Sequence, residues 1–263
     1  MSEPVTLDVQ DQVATLTLDR PDAMNSLDIA TKEALLAAVR RAATDPDVRC
    51  VVLTGSGRAF SVGQDLREHV ERLASESLEE VWSTVEKHYA PIALTLATME
   101  KPVIAAINGV AAGAGLSMAL ACDLRVAADT AGFNTAFTGV ALSCDTGASW
   151  TLPRLIGAGR ALELLMMPRT VDAVEAMKLG LVNQLVPAAD LMATAQALAA
   201  RLATGPTLAY AAVKRSVAYA ASHSLDEALA YEGQMMARTG GSADHHHAVA
   251  SFVAKEKPTF EGR

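Results

Sequence analysis

Apolar and polar positions alternate with a period of two over "VTLDV" (5–9) and again over "VATLTLD" (13–19), which predicts two short strands joined at Gln10-Asp11-Gln12. The period then lengthens. In "LDIATKEALLAAVRRAA" (27–43) Leu27, Ala30, Ala34, Leu35, Ala38 and Ala42 recur at helical spacing. "VRCVVLTG" (48–55) is an almost continuous apolar run, as a strand buried on both faces requires. Strand, strand, helix and strand in that order imply a crossover unit and hence an α/β core. After a loop over 55–65, a charged helical stretch extends to about Thr98; a strand over 102–107, a Gly/Ala turn, a short apolar helix and the strand "DLRVAA" (123–128) follow. From Trp150 onward the pattern is helical throughout, broken at "GAG" (157–159), Pro168, Gly180, Pro187 and Gly205-Pro206. The expected organisation is an α/β core over 1–204 and a helical region over 205–263.

Composition narrows the class. With 263 residues, 51% hydrophobic and 20% charged, the chain can bury a large core. A net charge of -8 disfavours a nucleic-acid or anionic-membrane surface, so no nucleic-acid partner is expected. Cys50, Cys122 and Cys144 are spaced without disulfide or metal logic. Together with an N-terminal "MSEPVTLDV" that lacks a secretory pattern, they point to a cytoplasmic protein with reduced thiols. Residues 102–122 are long enough to cross a bilayer, and Gly109 and Gly113 form a small-xxx-small pair. Asn108 and the Gly/Pro content interrupt that run, so no membrane span is expected.

Three stretches could carry chemistry. "TGSGRAFSVGQDLRE" (54–68) and "INGVAAGAGLSMALACD" (107–123) each join a strand end, small residues and a helix start, which leaves backbone N–H groups aimed at an anion. Asp65 is placed to cap a helix beginning near Leu66. Neither loop has the spacing of a Walker or Rossmann fingerprint. Each alone fits an ordinary capped loop or tight helix packing; together they suggest two N–H groups converging on one oxygen. In "ALSCDTGASW" (141–150), Asp145 is the single acid. It reads as a cap for a helix starting near Gly147 or as a lone catalytic acid; an aspartic protease would need a second copy of Asp-Thr-Gly. Cys144 has no histidine near it in sequence to make it a nucleophile. "HHH" (245–247) lacks the i, i+4 spacing of metal ligands on a helix, and no metal is expected there.

Taken in order, "LDRPDAMNSLD" (18–28), "VVLTGSGRAFSVGQDL" (51–66), "KPVIAAINGVAAGAGLSMALACDLRVAA" (101–128), "GASWTLPRLIGAGRALELL" (147–165) and the closing "FVAKEKPTF" resemble the crotonase, or enoyl-CoA hydratase/isomerase, family. The resemblance implies an α/β spiral of ββα turns and a helical C-terminal region that trimerises, as a homotrimer or a dimer of trimers. It also implies an acyl-CoA thioester as ligand, with no cofactor beyond the coenzyme A of the substrate. The family's oxyanion hole falls on the backbone N–H groups of Gln64 and Ala114. Its CoA contacts fall along Asp22 to Met24 and Ala59 to Ser61, with Phe252 and Lys255 contributing, in this family, from a neighbouring subunit. Asp22 departs from the cation common there. The "HHH" stretch would precede the last helix.

The departures decide the expected reaction. A hydratase of this family uses two glutamates, one to activate water and one to donate a proton to carbon. Their positions here are Ser117 and Phe137. Asp145 stands where the isomerase branch carries its own acid, although Ala141 and Ala148 replace two glycines of that stretch. One carboxylate suffices to move a proton between two carbons, and apolar neighbours would raise its pKa. The expectation is a double-bond isomerase; the alternatives are a hydratase whose water is handled by Asp145 or Glu68, and a non-catalytic acyl-CoA binder.

Overall fold

The computed structural model describes residues 3–263. The chain opens with β1 (Val5–Gln10) and β2 (Val13–Leu18), an antiparallel hairpin, and α1 (Ile29–Thr44). It continues through β3 (Cys50–Gly55), β4 (Ala59–Ser61), α2 (Leu66–Ser75), α3 (Leu78–Thr84), a π-helical turn (Val85–Tyr89) and α4 (Ala90–Thr98). Next come β5 (Val103–Ile107), β6 (Val110–Ala112), α5 (Ala114–Ala121), β7 (Leu124–Ala128), β8 (Gly132–Asn134), α6 (Ala148–Ile156) and α7 (Ala158–Met166). β9 (Val171–Asp172), α8 (Ala173–Leu179) and β10 (Gln184–Val186) lead into the helices α9 (Leu191–Ala203), α10 (Thr207–Ala220), α11 (Leu225–Gly240) and α12 (Ala243–Ala254).

Successive strands are dealt to two sheets. One has the order β1-β2-β3-β5-β7-β10, parallel except for the first hairpin; the other has the order β4-β6-β8-β9. Thus β3-β4, β5-β6 and β7-β8 each place one strand in the large sheet and the next in the small one before a helix returns. That repeat is the expected spiral of ββα turns.

The large sheet is buried on both faces because its central strands β3 and β5 are apolar at nearly every position. From β3, Val51 and Leu53 face a core shared with α1, α4 and α5, whereas Cys50 and Val52 face Leu191, Ala195, Ala199 and Ala203 of α9. The alternation continues in β5, with Val103, Ala105 and Ile107 on the first face and Ile104 and Ala106 on the second.

Three expectations are corrected. The chain after Trp150 is not all helical: β9 pairs with β8 and β10 pairs with β7. Strands of two or three residues are too short to show a period. The buried stripe of α1 is Thr31, Lys32, Leu35, Val39 and Ala42, rotated from the alanine-rich face that the spacing favoured, because alanine fits either side. His245, His246 and His247 lie inside α12, not before it, since Ser242 caps that helix by accepting the His245 N–H at 3.1 Å.

Polar ties hold the C-terminal helices to the core. Arg49, immediately before β3, donates from Nε to Thr207 Oγ1 at 3.0 Å and from Nη1 to the Phe260 carbonyl at 2.9 Å. Lys214 of α10 pairs with Asp123 at 2.7 Å, and the same carboxylate accepts the Val103 N–H at 2.7 Å. Asp123 is therefore a structural hydrogen-bonding residue. Among the described residues no helix is long and apolar enough to cross a membrane.

Candidate active site

A cleft of ≈ 920 Å³ opens where two strand-to-helix turns meet, one after β4 and one after β6. The first turn is built by Arg20, whose guanidinium reaches the Ser26 carbonyl at 2.6 Å, Asp28 at 3.0 Å and Asp65 at 3.2 Å. Asp65 in turn caps α2 by accepting the Arg67 and Glu68 N–H groups. Gly63 sits at φ +81, and a Cβ there would meet the Ala112 carbonyl oxygen at 2.9 Å and the Ala114 nitrogen at 3.1 Å. The two turns therefore touch at Gly63, and only a glycine permits it.

Gln64 and Ala114 both line the cleft. Leu27 donates to the Gly63 carbonyl at 2.8 Å and Asp65 donates to the Leu27 carbonyl at 3.2 Å, so the strand-like contact with Leu27 uses the groups flanking Gln64 and leaves the Gln64 N–H out of that pairing. The Ala114 N–H begins α5 and so has no acceptor within the helix. The strained backbone at that turn falls on Gly113, at φ +52, and Ala114 is not among the residues with positive φ. An alanine therefore serves there as well as a glycine. Close approach instead demands Gly115, where a Cβ would lie 2.4 Å from the Ser61 carbonyl oxygen.

Asp145 lies in the same cleft, half-buried on the segment before α6. Its Oδ1 accepts the Thr146 hydroxyl at 2.7 Å. Desolvation pushes its pKa above the usual carboxylate value, opposed by the Thr146 hydrogen bond and the charge of Lys32. It is not a helix cap: α6 starts after Gly147, with no side-chain cap. Ser117 is buried in α5, donating to the Gly113 carbonyl at 2.9 Å, and Phe137 presents its ring to the cleft.

The other acids on the cleft wall are committed elsewhere or exposed. Asp28 accepts the Thr31 N–H and hydroxyl at 2.8 and 2.6 Å and pairs with Arg20. Glu68 accepts the Ile29 N–H at 2.8 Å with one oxygen and faces Lys32 at 3.8 Å with the other. Asp22 and Glu71 are exposed.

The expected CoA-contacting residues divide. Asp22 and Met24 line the cleft mouth. Ala59 and Ser61 are fully buried in β4 and do not: Ser61 Oγ donates to the Asn25 carbonyl at 2.8 Å, and Arg58 and Val62 line the wall on either side. Phe252 and Lys255 belong to α12 and its C-terminal cap and do not line this cleft; Phe252 is 84% exposed.

Sequence reasoning missed the cations Arg20, Arg58 and Arg67, the aromatic lining from Trp82 and Tyr89, and Lys32. Lys32 left a legible signal: a lysine within the buried stripe of α1. The aromatics did not, because a π-helical turn between α3 and α4 shifts the helical phase and brings Tyr89 to the cleft.

The paired sheets and the helical C-terminal region match solved crotonase-fold structures. The family model for enoyl-CoA hydratase/isomerase matches residues 8–263. The chain is 39% identical over 259 residues to a probable enoyl-CoA hydratase of Rhodobacter capsulatus, covering 98% of each chain. It is 37% identical over 263 residues to the 1,2-epoxyphenylacetyl-CoA isomerase of Escherichia coli, covering 100% of both. A crystal structure described as an enoyl-CoA hydratase/isomerase from Mycobacterium abscessus superposes with a TM-score of 0.95 at 43% identity, over 98% of this chain and 100% of that one. The protein belongs to the enoyl-CoA hydratase/isomerase family of acyl-CoA enzymes.

Proposed function

We propose that the protein shifts a carbon–carbon double bond in an enoyl-CoA thioester, with Asp145 as the acid/base and the Gln64 and Ala114 N–H groups as the oxyanion hole. One observation carries this reading: of the acids on the cleft wall, Asp145 is the one that is shielded from water, raised in pKa and bonded only to a hydroxyl. The carboxylate takes a proton from C2 of a 3-enoyl thioester, and the electron pair moves onto the carbonyl oxygen to form a dienolate. Two preorganised N–H donors stabilise that charge. The protonated acid then returns its proton to C4, leaving a 2-enoyl thioester and a regenerated carboxylate. A raised pKa makes the carboxylate a stronger base for the abstraction step.

Hydration needs a second proton-handling group, and Ser117 and Phe137 supply none. Glu68 is ill-suited to that part because its carboxylate already holds the start of α1 and faces Lys32. The CoA moiety would lie along Asp22 and Met24 at the cleft mouth, with Arg58 and Arg67 available to its phosphates. Phe252 and Lys255 would complete that site across a homotrimer or a dimer of trimers. The reaction calls for no cofactor beyond the substrate's own CoA. A cytoplasmic location fits the three cysteines, which are all free thiols.

Wild type and Asp145→Asn assayed on 3-enoyl-CoA and 2-enoyl-CoA substrates test this directly. Isomerisation should fall by roughly 10²–10⁴-fold in the variant. Hydration that survives Asp145→Asn would favour a hydratase instead, and binding of CoA esters without turnover a non-catalytic binder.

A further inference from the structure

We infer that Lys32 is a positioning residue for carbonyl polarisation: its ammonium, sealed behind the oxyanion loop, fixes Gln64 and adds positive potential at the thioester oxygen. This rests on the oxyanion reading of Gln64 and Ala114. Lys32 is fully buried on the inner stripe of α1, where an apolar residue would cost nothing to desolvate. Its Nζ donates to Thr84 Oγ1 at 3.0 Å and to Gln64 Oε1 at 3.2 Å, and it lies 5.4 Å from the centre of the Tyr89 ring. The Tyr89 hydroxyl donates to the same Gln64 oxygen at 2.5 Å. Two donors from separate helical segments thus clamp the side chain of the residue whose backbone N–H is assigned to the proposed oxyanion hole.

Charge compensation alone does not account for this placement. Glu68 is 3.8 Å from the ammonium, farther than Gln64 and Thr84, and its Oε1 is buried without a hydrogen-bond partner. A lysine retained only to neutralise Glu68 would close that gap; this one is drawn toward Gln64. Its position behind the wall, away from water, lets its charge act on the cleft with little screening, and Asp145 is among the charges it interacts with.

The test is the ultraviolet absorption of bound cinnamoyl-CoA, a conjugated thioester whose band moves to longer wavelength as its carbonyl is polarised. Wild type should show that shift. Lys32→Met, and the double variant Lys32→Met/Glu68→Gln, which leaves no buried charge unpaired, should bind within about threefold of wild type yet lose at least about half of the shift. In turnover, kcat should fall roughly 10- to 100-fold while KM changes by less than about threefold. A loss of fold alone would not give intact binding with a diminished shift. A wild-type shift kept whole by either variant overturns the role of Lys32 while leaving the oxyanion reading standing. Binding to wild type with no shift overturns both.

Discussion

Asp145 combines two effects at one residue. Burial makes its charged form costly, and the usual hydrogen-bonding compensation is limited to one hydroxyl. Because the folded-state pKa lies above the ordinary value of 3.8, the ionised carboxylate destabilises the fold at neutral pH, and that cost disappears as pH falls through the folded pKa. Asp145→Asn should therefore melt at a higher temperature than wild type at neutral pH. The difference should shrink in acid, as followed by thermal unfolding across pH. With Asp145 as the proposed base, the same shift places the acidic limb of kcat/KM above 3.8, since the carboxylate must be ionised to accept a proton. A variant that is more stable and inactive would mark the carboxylate as retained for chemistry. The neighbouring backbone is also strained: Ala136, Ala141 and Thr146 all have positive φ. Ala141 was recognisable as a departure from the glycine of related stretches, but that it keeps the left-handed conformation, at φ +59, needed the fold.

At the scale of elements, the proposed oxyanion geometry depends on how closely α5 approaches β4. Gly115→Ala would force a Cβ against the Ser61 carbonyl oxygen at 2.4 Å and its Cβ at 2.7 Å, both on a buried strand that cannot yield. The expected cost is about 1–3 kcal/mol or more, read by chemical denaturation, with loss of activity as the turn is displaced. Ala114→Gly should instead cost about 1–2 kcal/mol and keep activity, because only a buried methyl and some helix propensity are lost. If both variants behaved alike, the close-approach account of this turn would be wrong. Element-level legibility followed length. The helix start near Leu66, with Asp65 as its cap, stood as the spacing predicted because a cap is local chemistry. β4, β6, β8, β9 and β10 were invisible because two or three residues carry no period, and their pairing partners are remote in sequence.

For the molecule as a whole, the C-terminal helices leave Val213, Val217, Leu229, Phe252 and Val253 more than half exposed. Met166, Met167 and Met236 are likewise exposed, at 66%, 66% and 72%. Apolar surface on this scale fits the proposed assembly of copies. Phe252→Asp with Val253→Asp should lower the oligomeric state and weaken CoA-ester binding together, as measured by light scattering and titration; a wild type that is monomeric at micromolar concentration would refute the assembly. The residue order already contained the family, the doubly buried sheet and the roles open to Gln64, Ala114 and Asp145, since those follow from contiguous motifs and local chemistry. Tertiary structure alone decided which acids stay uncommitted, that Ser61 turns inward while Arg58 and Val62 reach the cleft wall, and that Lys32 lies behind Gln64. Each of those depends on contacts between segments tens of residues apart, and burial, which sets both proton affinity and the reach of a charge, exists only once those segments have met.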